Sequence, residues 1–244
     1  MIKLILDYPI SYVYVAQGDA TFCLPQYYKE SEFYRTTIKE LQKNGREIML
    51  DNGAWEFGRS MHPLEFLEVV KELKPTWAVI PDVMKDAAET EKYATTFLTA
   101  LALKPIPETK FMFAPQGKNI KELVTCYNNI VSRFYTLIDM LAIPKHVGKI
   151  INRVKFTDHL WEKAIIKFQN VHFLGFHSMK ELEFTAEQRN WNLFSIDTKF
   201  PIKKSFGFGF KNEDDYYRTT RPLGVMQLEQ SVAIFQRSLG DTGW

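Results

Sequence analysis

Seven short apolar runs, each followed by a polar or amphipathic stretch, constrain this chain more than any other feature. They fall at residues 3–6, 47–50, 77–80, 110–113, 135–138, 171–175 and 192–196. Runs this short, rich in Ile, Val, Phe and Leu, suit strands buried on both faces, as in a parallel sheet. Helix signals lie between them. Thr37 with Glu40 and Ser178 with Glu181 match the capping box, and Asn119 with Glu122 and Asp86 with Glu89 are looser versions. Pro63 suits a first helical position, with Leu64, Leu67, Val70 and Leu73 recurring at helical spacing. Residues 87–103 read as one long helix with Ala94, Phe97, Leu98 and Leu101 on a single face.

Strand–helix alternation at roughly 30 residues per unit leaves an open doubly wound sheet or a (β/α)8 barrel. No Gly-x-Gly-x-x-Gly follows the first run, which removes the main sequence argument for a dinucleotide-binding sheet. Phe206-Gly-Phe-Gly-Phe210 follows no strand–turn–helix pattern and reads as a loop. The length of 244 residues is close to the roughly 250 of a typical barrel. The sequence therefore predicts one compact α/β barrel domain over 1–244, with the eighth strand at 12–15 or in the C-terminal third.

Charge and cysteine content narrow the function. Lys plus Arg number 31 against 29 Asp plus Glu, a net charge of +2, which excludes a histone-like polymer binder but leaves room for a local basic patch. Cys23 and Cys126 cannot make a disulfide framework or a four-cysteine zinc site. The first residues hold too short an apolar run for a signal peptide, and no stretch approaches the roughly 18 apolar residues of a membrane span. The expectation is a soluble cytoplasmic protein without metal or cofactor. Aromatic residues reach 14%; most suit a ring-rich core, while Trp55, Tyr216 and Tyr217 are candidates for stacking on bases or sugars.

In a barrel, side chains at the C-terminal strand ends share one mouth. Just past the runs stand Asp51, Asp82, Gln116, Asp139 and Asp197; Gly53 two positions after Asp51, Pro81 before Asp82, and Pro115 and Gly117 around Gln116 let the chain turn sharply there. An Asp after a strand is also an ordinary N-cap or turn residue, but five polar groups at one end of five runs point to a site. His62, His146, His159, His172 and His177 show no metal-ligand spacing, and His172 and His177 read as packing or surface residues. No Gly-x-Ser-x-Gly elbow and no activated Cys occurs. Carboxylate chemistry remains: one carboxylate attacks a sugar C1′ while another manages protons, and a Gln with its Gly neighbour suits a planar heterocycle.

Leu-Asp-Asn-Gly-Ala-Trp (50–55) resembles the Asp-Ser-Gly-Gly-Phe/Tyr-Gln strand end of the tRNA-guanine transglycosylase superfamily. Ala-Pro-Gln-Gly (114–117) resembles its Val-Gln-Gly, and Leu-Gly-Phe-His-Ser-Met (174–179) its Met-Gly-Val-Gly-Thr-Pro. Phe-Ser-Ile-Asp-Thr-Lys-Phe-Pro (194–201) resembles the Met-Phe-Asp-Cys-Val-Leu-Pro-Thr-Arg segment that carries the family nucleophile. The matches run in family order over roughly residues 45–205.

That resemblance implies exchange of guanine in a nucleic acid for a 7-deazaguanine through a covalent aspartyl–sugar intermediate. It implies Asp197 as nucleophile, Asp51 as the proton-handling carboxylate, and Asp82, Gln116 and Gly117 on the purine. Leu141 and Ala142 would stand where the family's Gly-Gly-Leu-Ala backbone lines the base pocket. The chain departs from the tRNA enzymes in having no Cys-x-Cys-x-x-Cys zinc extension, and Asn52 and Ala54 replace small family residues. It is most similar to phage-type DNA guanine transglycosylases, which place 7-deazaguanines in phage DNA to evade restriction in the host cytoplasm.

Lys199, Lys203, Lys204, Lys211, Arg218 and Arg221, interleaved with Phe206, Phe208, Phe210, Tyr216 and Tyr217, read as a phosphate track in a basic-aromatic segment over 199–244. Glu213-Asp-Asp215 interrupts it, as in an ordinary solvated loop. The expected partners are DNA and a free deazaguanine base. Rival readings are a tRNA-directed enzyme, a two-carboxylate glycosidase or nucleoside deoxyribosyltransferase, and a non-catalytic nucleic-acid-binding barrel.

Overall fold

Strands too short and too apolar to leave a face in water bury both by closing on themselves. In the computed structural model, which describes residues 2–176, 191–207, 209–221 and 223–240, eight parallel strands form a closed barrel in sequence order. The strands are β1 (Lys3–Leu6), β2 (Ala20–Cys23), β3 (Glu47–Leu50), β4 (Trp77–Val79), β5 (Lys110–Phe113), β6 (Met140–Ile143), β7 (Asn170–Phe173) and β8 (Asn192–Thr198). β8 returns to β1 with Lys3 opposite Ser195 and Ile5 opposite Asp197. Leu4, Leu6, Ile48, Leu50, Val79, Phe113, Ile143 and Phe173 are fully buried.

The helices are α1 (Pro25–Glu30), α2 (Glu32–Lys43), α3 (Ala54–Phe57), α4 (Pro63–Leu73), α5 (Ala87–Leu103), α6 (Ile120–Phe134), α7 (Arg153–Lys163), α8 (Phe200–Ser205), α9 (Glu213–Tyr217) and α10 (Val225–Gly240). The arrangement is a (β/α)8 barrel whose first crossover is a 3-10 turn, Ile10–Val15, in place of an α-helix. Asp86 and Asn119 cap α5 and α6 as expected, their side chains accepting from Glu89 and Glu122 backbone N–H. Pro63 opens α4. Ser178 and Glu181, with His177 and Phe208, lie outside the described residues.

Three expectations are corrected. The strand missing from the seven apolar runs is β2, Ala20–Cys23, whose short Ala-Thr-Phe-Cys stretch carries little apolar signal, while residues 12–15 belong to the 3-10 turn. Thr37 is interior to α2, which starts six residues earlier under a cap from Ser31, whose Oγ accepts from Tyr34 N–H. Residues 135–138 are not a strand: Tyr135–Leu137 extends α6 as a 3-10 turn, and β6 begins at Met140.

That last shift moves Asp139 to the opposite end of the barrel from the mouth. It precedes β6 and pins it to β5, donating its N–H to Phe111 O at 2.8 Å and accepting Phe111 N–H on Oδ2 at 2.8 Å. Asp139→Ala should therefore cost about 1 kcal/mol in denaturant unfolding and leave affinity for any ligand at the mouth unchanged. A loss of ligand affinity without a loss of stability would contradict this placement.

Candidate active site

Four of the expected residues meet at the C-terminal strand ends. Asp51 follows β3 directly, Asp82 and Gln116 each lie three residues past β4 and β5, and Asp197 is the penultimate residue of β8. All four line one cavity of about 200 Å³. An apolar cavity of about 150 Å³ accepts benzene, so this one has room for a single bicyclic heterocycle.

Asp197 is held by one oxygen. Its Oδ1 accepts from His172 Nε2 at 3.0 Å and from Gly175 N–H at 2.9 Å, and it lines the cavity with Oδ2 unpartnered among the described residues. His172 is fully buried, and its Nδ1 lies 2.8 Å from Ser195 Oγ. Since a carboxylate only accepts, Nε2 donates to Asp197, and Nδ1 faces the Ser195 hydroxyl. A bulge brings these groups together: Val171 pairs with Leu193 but His172 pairs with Ser195, so β8 carries one extra residue, Phe194. Phe194 meets the Trp77 ring of β4 at 5.3 Å, while Ser195 and Asp197 meet His172.

Asp82 and Gln116 form one unit. Gln116 Nε2 donates to Asp82 Oδ2 at 3.0 Å, and its Oε1 accepts from Lys85 N–H at 3.0 Å, which fixes the amide's orientation. Lys85 holds a left-handed backbone, φ 62°, to make that contact. Asp82 Oδ1 is buried without a partner among the described residues, an acceptor left over for a ligand donor. Burial pushes the Asp82 carboxyl up to about 7, against the pull of the Gln116 and Asn52 amides. Asp51 is raised well above the usual carboxylate range, by burial first and then by Glu56, although its Oδ2 accepts from Gly53 N–H at 2.9 Å. Gly53 has φ 78°, a left-handed backbone that strains any other side chain, and a Cβ there would press on the Gln26 amide at 2.4 Å.

Lys199 binds the acidic mouth together. Its ammonium lies 3.4 Å from Asp7, 3.0 Å from Glu56 and in contact with Glu213. Burial opposes its charge, yet those three carboxylates outweigh burial and hold it protonated well above the ordinary lysine value. Lys199 is thus turned inward and does not belong to an outer phosphate track. Arg218 pairs with Glu30 at 3.3 Å and Arg221 with Asp215 at 3.5 Å; Lys204 and Lys211 are exposed, and Lys203 lines the cavity.

Tyr216 and Tyr217 are fully buried, so they do not stack on an incoming base. Their hydroxyls donate to Asp7, one to its backbone oxygen and one to Oδ2, which fastens the C-terminal segment to the end of β1. Trp55, in contrast, is 42% exposed at the cavity rim, with Lys145 over its ring at 5.4 Å.

Gly117, Leu141 and Ala142 are not among the cavity's lining residues. Leu141 and Ala142 pair with Val171 and His172 inside the sheet, and Pro144, Lys145 and His146 line the cavity after β6 instead. Gly117 serves packing: a Cβ there would lie 2.7 Å from Glu122 Cβ and 2.8 Å from Leu123 N.

The sequence reading missed Asp7, Glu56, Lys145 and the role of His172. A polar residue inside a strand buried on both faces needs a partner, and that was the available signal for His172. Burial lowers Lys145 from its ordinary value and takes His146 down to about 4. Among the described residues, no three His, Cys, Asp or Glu side chains are grouped to hold a metal ion, and no helix is long and apolar enough to cross a membrane.

The Asp82 shift predicts a pH signature. Its neutral form is favoured in the folded chain, so its contribution to stability is full below the unfolded value near 4 and is lost as pH rises through about 7. Asp82→Asn should flatten the stability profile between those limits in denaturant titrations. An unchanged slope in the variant would show that Asp82 ionises normally.

No family model matches the sequence, and no curated protein matches it. Among solved structures, the chain is similar to dihydrodipicolinate synthase from Agrobacterium tumefaciens, with 11% identity over 96% of this chain and 80% of that one, at a TM-score of 0.48. It is also similar to SacUVDE, with 7% identity over 97% of this chain and 99% of that one, at a TM-score of 0.42.

Proposed function

We propose that this barrel exchanges guanine in DNA for a free 7-deazaguanine base. The observation that carries the reading is Asp197 lining a heterocycle-sized cavity with Oδ1 held by His172 and Gly175 and Oδ2 unpartnered among the described residues. Oδ2 attacks C1′ of the target nucleotide, and the C1′–N9 bond breaks with its electron pair moving to guanine. Asp51, whose proton burial makes harder to lose, delivers that proton to the departing base. The incoming deazaguanine returns a proton to Asp51, attacks C1′ and expels the Asp197 carboxylate, so atoms and charge balance without an oxidant or a metal.

Asp82 and Gln116 fit the purine's hydrogen-bonding edge. A guanine-like ring presents adjacent N–H donors, and Asp82 Oδ1 is a buried acceptor lacking one. Because that carboxyl sits near 7, the pair favours base binding above neutral pH, when Asp82 is a full acceptor. DNA is the polymer we favour: the exposed cations after β8 are few, which suits a local backbone grip rather than a folded RNA. Extruding a nucleotide from a duplex costs a few kcal/mol, so single-stranded or bubbled DNA should react faster.

The test is mass analysis of nucleosides from DNA and tRNA after incubation with the protein and candidate bases. Asp197→Asn should abolish exchange and covalent trapping while the protein still folds; near wild-type exchange would remove Asp197 from the chemistry. Asp82→Ala should raise the base KM at least about tenfold, since an unpaired buried contact costs about 1–3 kcal/mol. Exchange into tRNA alone would overturn the DNA assignment. Conversion of free nucleosides without incorporation into a polymer would favour a deoxyribosyltransferase instead.

A further inference from the structure

A second, more open cleft of about 410 Å³ adjoins the cavity, lined by residues from α1, the segment between α3 and α4, and α5. The two share a wall. Met61 N–H donates to Asn52 O at 3.0 Å and Ser60 N–H to Asp82 O at 3.4 Å, so the cleft's floor is the outer face of the segment that holds the cavity carboxylates.

Its chemistry is that of an anion site. Arg59 is exposed and pairs with no carboxylate among the described residues. The 11-residue helix α4 starts at the cleft with His62 as an N-cap that makes no side-chain cap bond, leaving first-turn N–H groups of Leu64 and Glu65 free for a ligand. Ser60 is 95% buried, lines the cleft, and its hydroxyl has no partner among the described residues. Among the described residues Glu65 is the one carboxylate lining the cleft, and Lys29 engages it. Phe57, 42% exposed, and Tyr93 add ring surface on which a sugar or base can lie.

We propose that this cleft is a second subsite that takes the phosphodiester of a nucleotide next to the one exchanged. Arg59, the α4 N-terminus and Ser60 hold the phosphate, and the aromatic wall takes the attached base. The proposal rests on the transglycosylase reading for its choice of a polymer ligand. It gives that reading a grip on the β3–β4 side of the mouth, away from the basic segment after β8.

The test is binding of a short single-stranded DNA by fluorescence anisotropy across a salt series, for the wild type, Arg59→Ala and Ser60→Ala, with exchange into the same DNA measured in parallel. Inorganic phosphate competition forms a separate arm. Losing one phosphate contact should weaken binding several-fold at low salt and reduce the log–log salt slope by about 0.7 in Arg59→Ala, with a smaller loss in Ser60→Ala. Affinity for the free base should not change in either. Arg59→Ala binding DNA with wild-type affinity and slope would overturn the subsite and leave the exchange reading intact. Phosphate binding that Arg59→Ala abolishes without any effect on DNA would overturn it too, making the cleft a free-anion site. DNA bound with the expected Arg59 dependence but never exchanged would keep the subsite and refute the chemistry; no DNA binding by the wild type would overturn both.

Discussion

The buried ammonium of Lys199 is the interaction on which the mouth depends. Asp51, Glu56, Asp82, Asp197 and Glu213 line one small cavity, and Asp7 stands just beneath it. Like charges this close raise one another's proton affinity and repel. Lys199 reaches three of the six, and burial raises the proton affinity of Asp51 and Asp82, which lowers the charge the cluster must carry. A buried pair of this kind contributes little net stability over apolar residues of the same volume. Its consequence is positional: the start of α8, the end of β1, α3 and α9 are held to one point, and the cavity takes its shape from that.

The same contact explains why the C-terminal segment reads differently in sequence and in space. A run mixing Lys, Arg, Phe and Tyr has the composition of a nucleic-acid track, but composition does not say which side chains turn inward. Tyr216 and Tyr217 bury their rings and spend their hydroxyls on Asp7. Lys199 follows them inward, and Arg218 and Arg221 find acids on α1 and α9. Charge interleaved with carboxylates is as much a recipe for internal pairing as for phosphate binding.

The barrel was legible because its signal is periodic and repeated. Runs at 3–6, 47–50 and 110–113 coincide with strands, and carboxylates read at the ends of β3, β4 and β8 do face one mouth. What failed was local. Ala20–Cys23 lacks the branched apolar residues that mark a strand, and two neighbouring apolar runs, 135–138 and 140–143, differ only in which has partners on both sides. Choosing the wrong one sent Asp139 to the wrong end, and the resemblance to the family's Gly-Gly-Leu-Ala placed Leu141 and Ala142 in the pocket although they lie inside β6. Asp7 and His172 were hidden for another reason: their meaning comes from residues 192 and 25 positions away, and nothing local to either declares it.

The bulge in β8 has a consequence for how such a site can change over time. Side chains alternate along a strand, so every residue beyond the irregularity has its facing set by a count, and Phe194 is the odd member of that count. Substitutions there alter size or polarity one position at a time and can be compensated. A gain or loss of a single residue cannot, because it would exchange the inward and outward faces of Ser195, Ile196 and Asp197 together. The composition of this strand is free to drift; its length is not.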